Sequence, residues 1–230
     1  MIRYIVFDTE TTGLDPFDGD KIIEIGAVEL FDKKRSGKVY HQLINPGRRL
    51  SQEVKNITHF TDDMLNNQPF FKDIAEGFLS FINNKPDGCI QTYLVAHNAS
   101  FDLKFLNYEL KNIGLAGLSS FSVIDTLELA RRAFPGQKAT LDMLCVRFGI
   151  SLEERQSQGH NAVLDCQILV DVFLKLLEIT TTSSWQNSEL DFVGFKKREN
   201  ILVSRQYVVN DADYSQHIEF LHKNDIKFEN

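Results

Sequence analysis

Residues 4–13 read YIVFDTETTG, and this stretch decides the fold. The apolar run Ile5–Phe7 is typical of a central strand, yet it ends in Asp8 and Glu10 rather than in a turn residue. Residues i and i+2 of a strand project from the same face, so the two carboxylates are expected side by side. Carboxylates that close repel each other unless a proton or a cation lies between them. The stretch therefore predicts a buried strand that carries two acidic side chains to a divalent cation.

Composition limits the classes of function. The chain has 230 residues, of which 43% are hydrophobic and 25% charged, which predicts a globular protein of roughly one to two domains. No apolar run approaches the ~18 residues of a membrane span, and no signal peptide is visible. The net charge of −7 argues against a non-specific nucleic-acid coat, but not against an enzyme that holds nucleic acid through bound cations. Cys89, Cys145 and Cys166 lack metal-type spacing, which favours buried thiols in a reduced, cytoplasmic compartment.

Hydrophobic periodicity predicts strands first and strand–helix units later. Strands are predicted at Ile2–Phe7, Lys21–Leu30, Lys38–Asn45 and Tyr93–His97, with a further strand ending at Asp125. Helices are predicted at Phe71–Asn83, Ala99–Asn112, Thr126–Phe134, Thr140–Phe148 and Asn161–Leu177. This order predicts a mixed α/β sheet flanked by helices.

The character of the sequence changes after Leu177. The stretch TTTSSWQNS from Thr180 is polar and aperiodic, which predicts a flexible linker. Asp213–Lys223 could form one amphipathic helix, but this part is too small to build its own core. We therefore divide the chain into a domain at residues 1–178, a flexible linker at 179–192 and a tail at 193–230.

Two later motifs place further carboxylates at the ends of predicted elements. HNASFD ends at Asp102, and its Asn98 is a candidate N-cap that puts Asp102 in the first turn of a helix. GHNAVLD ends at Asp165, which we expect in the second turn of a helix that follows His160 on a loop. Four carboxylates and one histidine thus arise at separate element ends, where loops can converge on one site.

This residue set suits phosphoryl chemistry. Carboxylates without a thiolate favour the hard cations Mg²⁺ or Mn²⁺. Two such ions ~3.5–4 Å apart can activate a water and stabilise a leaving 3′ oxygen. His160, with an ordinary pKa of about 6.5, could take the proton of that water. Each residue alone has a structural explanation, and Asp125 is assigned one, at a helix N-terminus.

The ordered motifs DTETTG, HNASFD and GHNAVLD resemble those of the DEDDh family of 3′–5′ exonucleases, in which the histidine stands five residues before the last aspartate. The resemblance covers roughly Ile2 to Leu177. It implies a ribonuclease H-like fold, a mixed five-stranded sheet with helices on both faces. It also implies that two divalent cations, Mg²⁺ or Mn²⁺, are held by four ligands and that a histidine is the general base. By the resemblance the ligands are Asp8, Glu10, Asp102 and Asp165, and the base is His160.

The stretch expected to contact the terminal nucleotide departs from the family pattern. The family usually has a VHGI stretch whose histidine approaches the 3′ terminus, whereas this chain has ITHF. An ungapped match puts Thr58 at the histidine position and His59 one place later. The resemblance further implies substrate contacts from Thr11, Leu14 and Glu53.

Two longer stretches indicate a branch of the family. PGQKATLDMLCVRFGI from Pro135 and LDCQILVDVFL from Leu164 are similar to the proofreading subunits of bacterial replicative polymerases. This implies a substrate of single-stranded or frayed DNA 3′ ends, and a tail that binds the polymerase catalytic subunit. Gln186, Leu190 and Phe192 resemble a peptide that binds a sliding clamp, with the usual spacing off by one residue.

Three functions remain open. The first is a proofreading exonuclease tethered to a polymerase, and the second is a free-standing exonuclease that trims RNA 3′ ends with the same five residues. The tail favours the first, because a trimming enzyme needs no tether. The third is a catalytically dead exonuclease-fold scaffold, and the intact set of five residues argues against it.

Overall fold

The computed structural model describes residues 1–182 of the chain. The predicted tail and most of the predicted linker, including Gln186, Leu190 and Phe192, lie outside the described residues. The five strands of the described part are β1 (Ile2–Thr11), β2 (Ile22–Phe31), β3 (Lys34–Leu43), β4 (Gln91–Ala96) and β5 (Ser122–Asp125). Its helices are α1 (Gln52–Thr58), α2 (Asp62–Asn66), α3 (Phe71–Asn83), α4 (Ala99–Asn112), α5 (Thr126–Ala133), α6 (Leu141–Phe148), α7 (Glu153–Gln158) and α8 (Ala162–Thr182).

The strands form one mixed sheet in the order β3-β2-β1-β4-β5. β1, β2 and β3 pair antiparallel, whereas β4 and β5 run parallel to β1. The predicted five-stranded mixed sheet is therefore confirmed. Because β1 lies at the centre and pairs on both edges, its backbone polar groups are satisfied while its side chains are buried.

Helices cover both faces of the sheet. Ile5 and Phe7 of β1 belong to a buried cluster that includes Phe78 of α3 and Phe105 of α4. Tyr4 points to the other face, where its ring centroid lies 5.3 Å from that of Phe173 on α8. Strand alternation then puts Asp8 and Glu10 on the α8 face, in register with Tyr4.

The first strand is longer than predicted. It runs through Thr11 rather than ending at Phe7, since its ladder with β2 continues past Asp8 and Glu10 and becomes irregular only between Glu10 and Thr11. Ladder hydrogen bonds join backbone groups, so a carboxylate can extend a strand whose apolar run has ended. The two acidic side chains are therefore held on regular strand rather than on a loop.

Helix boundaries also differ from the predictions in places. α8 runs to Thr182, five residues beyond its predicted end at Leu177, and Asp165 lies in its first turn rather than its second. Asn98 stands at the N-cap position of α4 but has a left-handed φ of 63° and makes no side-chain cap bond. Short helices α1, α2 and α7 were not predicted. None of the helices among residues 1–182 is long and apolar enough to cross a membrane.

Candidate active site

Two strand residues and one helix residue form the first half of the site. Asp8 and Glu10 are half-buried on β1, with Thr9 between them on the opposite face. Thr9 donates to Oδ1 of Asp102 twice, from its backbone N–H at 3.0 Å and from its hydroxyl at 2.7 Å. Asp102 is 3% exposed in the first turn of α4. Thr9, which lies between Asp8 and Glu10, therefore fixes the position of the third carboxylate, that of Asp102.

Asp125 orients α4. Its carboxylate accepts from the backbone N–H of Leu127 at 2.9 Å, which caps α5. The same carboxylate accepts from the N–H groups of Asn98 at 3.0 Å and Ala99 at 3.2 Å, at the start of α4. The structural role predicted for Asp125 is confirmed, and it replaces the cap expected from Asn98.

The start of α8 supplies the second half of the site. Asn161 caps this helix, because its Oδ1 accepts from the N–H of Leu164 at 3.0 Å. Asp165 is 3% exposed, and His160 lies on the loop just before the cap with 44% of its side chain exposed. Glu10, His160 and Asp165 each offer a ligand atom, and these atoms lie within 4.8 Å of one another. The structure thus brings together residues from the first strand and the last described helix.

Burial raises the pKa values of Asp8, Glu10 and Asp102, and neighbouring carboxylates add to the effect. Desolvation is the main cause of a strongly raised pKa at Asp8, followed by the charges of Asp102, Glu10 and Asp165. Glu10 has a strongly raised pKa for the same first reason, followed by the charge of Asp165. The pKa of Asp102 is raised to about 7 by desolvation, which outweighs the two hydrogen bonds from Thr9. Mutual repulsion of this kind is relieved by a cation, and an all-oxygen donor set fits a hard divalent ion.

Arg155 was not predicted as a site residue. It projects from α7, where its Nε lies 2.6 Å from Oδ1 of Asp165 and its Nη2 lies 3.0 Å from Oδ2. Nη2 is also 3.2 Å from Nδ1 of His160, and Nη1 bonds Asp142 of α6. The guanidinium therefore supplies positive charge to the carboxylate of Asp165.

His160 is suited to accept a proton. Desolvation lowers its pKa, and the positive charge of Arg155 lowers the pKa further, against the opposing charge of Asp165. The imidazole is therefore neutral at neutral pH. Its backbone N–H donates to the carbonyl of Ile57 at 3.0 Å, which ties the loop to α1.

The predicted substrate residues fall into two places. Thr11 ends β1 and donates to the carbonyl of Gly13 at 2.6 Å. Leu14 follows on an exposed loop and is 45% exposed, and its carbonyl accepts from Nζ of Lys104 at 3.0 Å. Glu53 is half-buried in the first turn of α1. The loop after β1 is thus held against α4.

Thr58 and His59 have different surroundings. Thr58 is 4% exposed, and its hydroxyl donates to the carbonyl of Val54 at 2.8 Å, so its side chain is used within α1. His59 is exposed in a left-handed conformation with φ of 59°. A Cβ placed on Gly159 would lie 2.8 Å from the His59 ring. The structure therefore brings His59, and not Thr58, against the loop that carries His160.

Sequence reasoning missed Thr9, Glu24 and Arg155. Glu24 offered a signal, since a carboxylate interrupts the apolar run IIEIGAV. Arg155 offered none, because the short helix EERQSQ is polar throughout and has no hydrophobic period. Of the cysteines, Cys145 and Cys166 are buried thiols as predicted, whereas Cys89 is half-buried.

Known proteins resemble this chain over most of its length. The Exonuclease family matches residues 5–173. The DNA polymerase III subunit epsilon of Rickettsia conorii is 41% identical over 179 residues, which cover 76% of this chain and 74% of that protein. The same subunit of Rickettsia typhi is 37% identical over 230 residues, 96% of each chain. The nuclease domain of 3′hExo, a DEDDh family member bound to rAMP, shares the fold with a TM-score of 0.65 at 18% identity, over 76% of this chain and 92% of that one.

Proposed function

This chain belongs to the Exonuclease family, and from that premise we propose that it is a DEDDh-type 3′–5′ exonuclease that proofreads for a replicative DNA polymerase. The observation that carries the proposal is the meeting of Glu10 on β1 with His160 and Asp165, within 4.8 Å. Such a cluster of acids beside a neutral histidine is what phosphodiester hydrolysis needs. The identity with epsilon subunits supports DNA as the substrate and a polymerase as the partner.

Exonucleases of this family depend on divalent metal ions. We propose two ions, Mg²⁺ or Mn²⁺, held by Asp8, Glu10, Asp102 and Asp165. The donor set fits them, because it consists of carboxylates whose charges repel one another. Bound cations would lower the pKa of a water and stabilise the charge that develops on the phosphate.

His160 takes the proton of the attacking water. The water oxygen bonds to the terminal phosphorus, and the bond from phosphorus to the 3′ oxygen of the preceding nucleotide breaks. A nucleoside 5′-monophosphate leaves, the 3′ oxygen takes a proton from solvent to become a hydroxyl, and His160 returns its proton to solvent. The lowered pKa of His160 supports this role, because the ring is uncharged at neutral pH.

The substrate is a single-stranded or frayed DNA 3′ end. We propose that four residues contact this end: Thr11, Leu14, Glu53 and His59. The side chain of Thr58 is bonded within α1, so Thr58 would contribute only by holding His59 in position. We propose Leu14 as a wedge against a terminal base, and its exposure on a loop held by Lys104 supports this role. Melting a paired end costs a few kcal/mol and least at a mismatch, so errors are removed first.

The partners are reached through the end of the chain. We assign binding of the polymerase catalytic subunit to residues 193–230, joined to the exonuclease domain at 1–178 by the linker at 179–192. Gln186, Leu190 and Phe192 would bind a sliding clamp. The match to the epsilon subunit of Rickettsia typhi over 230 residues supports a shared tail. The proposed compartment is the cytoplasm.

The deciding experiment uses 5′-labelled oligonucleotides with free 3′ ends, as DNA and as RNA, and primers with a paired or a mispaired 3′ end. With Mg²⁺ we expect the labelled strand to shorten from its 3′ end as nucleoside 5′-monophosphates are released, faster for the mispaired primer than for the paired one. Excess chelator and Asp8→Asn should each lower the rate by orders of magnitude, while the exposed Asp87→Asn should not. Equal rates on both primers would remove proofreading, and a clear preference for RNA would favour the trimming alternative.

A further inference from the structure

Glu24 is a buried carboxylate that the proposed chemistry does not use. It lies on β2 directly across the ladder from Glu10 and is 0% exposed. Like charges at directly opposed positions of a sheet destabilise it. A buried carboxylate is kept charged only by hydrogen bonds or opposite charges. The arrangement therefore calls for a specific set of donors.

Three donors meet this carboxylate. The backbone N–H of Ala162 lies 2.8 Å from Oε2, and Nδ2 of Asn161 lies 2.9 Å from Oε1. Nε2 of the half-exposed His41 lies 2.7 Å from Oε1. The first two donors belong to the start of α8, where an anion is also favoured by the helix dipole. Glu24 thus caps α8 from a neighbouring strand.

The same face of β2 also lets α8 approach closely. Gly26 stands two residues after Glu24, and a Cβ there would lie 2.4 Å from the backbone carbonyl carbon of Ala162. Sγ of Cys166 donates to the carbonyl of Gly26 at 3.3 Å. Any residue larger than glycine would push the helix away from the strand. Glu24 and Gly26 together form what we call the seat of α8. Glu24 accepts hydrogen bonds from the start of the helix, and Gly26 leaves room for its backbone.

We propose that Glu24 is a positioning residue that sets the separation between the two halves of the active site. His160 stands directly before the two residues that Glu24 binds, and Asp165 follows within the same helical turn. Because Glu10 is the ladder partner of Glu24, a shift of α8 on β2 is also a shift of His160 and Asp165 relative to Glu10. A displacement of about 1 Å can cost ~10²-fold in rate.

The chain offers a matched control. Glu29 lies on the same strand, is 1% exposed and is paired with Arg3, whose guanidinium also binds carbonyls of α3. It has no contact with α8 among those the structure gives for the described residues. Glu29→Gln therefore removes a buried carboxylate from β2 without touching the seat of α8.

The test compares Glu24→Ala, Glu24→Gln and Glu29→Gln with the full-length protein. Glutamine keeps one acceptor oxygen, so Glu24→Gln should lie between wild type and Glu24→Ala. We expect Glu24→Ala to lower kcat by about 10–100-fold with KM changed less than about threefold, and to weaken Mn²⁺ binding measured by electron paramagnetic resonance. Glu29→Gln should lower the Tm while leaving kcat and Mn²⁺ affinity unchanged.

Of the two measurements, only kcat depends on the proposed function being correct. Mn²⁺ affinity is read without turnover, so an inactive wild type would sink the proposed function and leave the positioning role to be judged by metal binding. If Glu24→Ala does not fold, Glu24→Gln and Asn161→Ala carry the same comparison. Wild-type kcat and Mn²⁺ affinity in a folded Glu24 variant, or losses equal to those of Glu29→Gln, would overturn the proposal.

Discussion

Arg155 binds both carboxylate oxygens of Asp165, with Nε 2.6 Å from Oδ1 and Nη2 3.0 Å from Oδ2. Both groups are largely buried, at 11% and 5% side-chain exposure. Arginine has no acceptor, so the contact of Nη2 with Nδ1 of His160 makes Nδ1 the acceptor. Neutral His160 then carries its proton on Nε2, so it can take a proton from water only at Nδ1, after Nη2 of Arg155 has moved away. The Arg155 guanidinium therefore contacts both the last proposed metal ligand, Asp165, and the proposed base, His160.

Removing Arg155 should strengthen metal binding. A divalent cation competes with the guanidinium for the oxygens of Asp165, and hydrogen bonds to charged groups are worth about 1.5–3 kcal/mol. We expect Arg155→Gln to tighten Mn²⁺ binding about tenfold in an electron paramagnetic resonance titration, and to lower the Tm in chelator. Arg147→Gln on α6, whose arginine stacks on Phe134, is the control and should leave the affinity unchanged. Unchanged affinity in Arg155→Gln would mean that the arginine stays in place beside bound cations.

His160 should determine the acid limb of the rate profile. Because its pKa is lowered from 6.5, the ring stays neutral and active as the pH falls through 6.5, and kcat should decline only below that value. His160→Ala should lower kcat by ~10²–10⁴-fold and abolish the limb. The measurement is kcat against pH between about 4.5 and 8 with saturating Mn²⁺. A variant with the wild-type profile would show that the water loses its proton without the histidine.

Asp102 should make the metal-free protein less stable as the pH rises. Its folded pKa is about 7 against an ordinary 3.8, so the folded state holds a proton that the unfolded state releases. The resulting stabilisation is fully present below about 4 and is lost as the pH rises through about 7. Asp102→Asn should flatten this part of the profile and be the more stable protein at pH 8, by up to a few kcal/mol.

Denaturant unfolding in chelator at several pH values measures the effect of Asp102. Asparagine keeps the oxygen that accepts from Thr9, so that contact is preserved in the variant. Saturating Mg²⁺ should reverse the order of stability at pH 8, because only the wild type then has all four ligands. Parallel pH profiles for the two proteins in chelator would contradict the prediction.

Removing the tail should separate chemistry from assembly. Every proposed catalytic residue lies at or before Asp165, and α8 ends at Thr182. A protein of residues 1–182 should degrade free single strands at the full-length rate but no longer co-purify with the polymerase subunit. Alanine at Gln186, Leu190 and Phe192 in the full chain should weaken clamp binding alone. Polymerase binding that survives the truncation would place the contact within residues 1–182.

Local patterns predicted the residues whose positions depend on one element. Asp8 and Glu10 followed from strand alternation, and Asp102 from its place in the first turn of α4. Asp125 followed from its place before a helix. These relations span a few residues, so period and capping rules are enough to find them.

Contacts between elements could not be predicted in this way. Arg155 reaches Asp165 from a polar helix, and the contact depends on how α7 is turned against α8. Which of Thr58 and His59 lies against the loop of His160 depends on which residue takes the left-handed conformation at the end of α1, and that residue is His59. The seat at Glu24 depends on strand register, which no short pattern contains.

The packing of β1 against α8 has a consequence for the order of synthesis. β1 is the first described element and α8 is the last, yet Glu10 of β1 and Asp165 of α8 belong to one acidic cluster. Contacts so distant along the chain close late in folding. A growing polypeptide therefore has no working site until α8 has left the ribosome, and incomplete chains released early in translation cannot attack the nucleic acid around them.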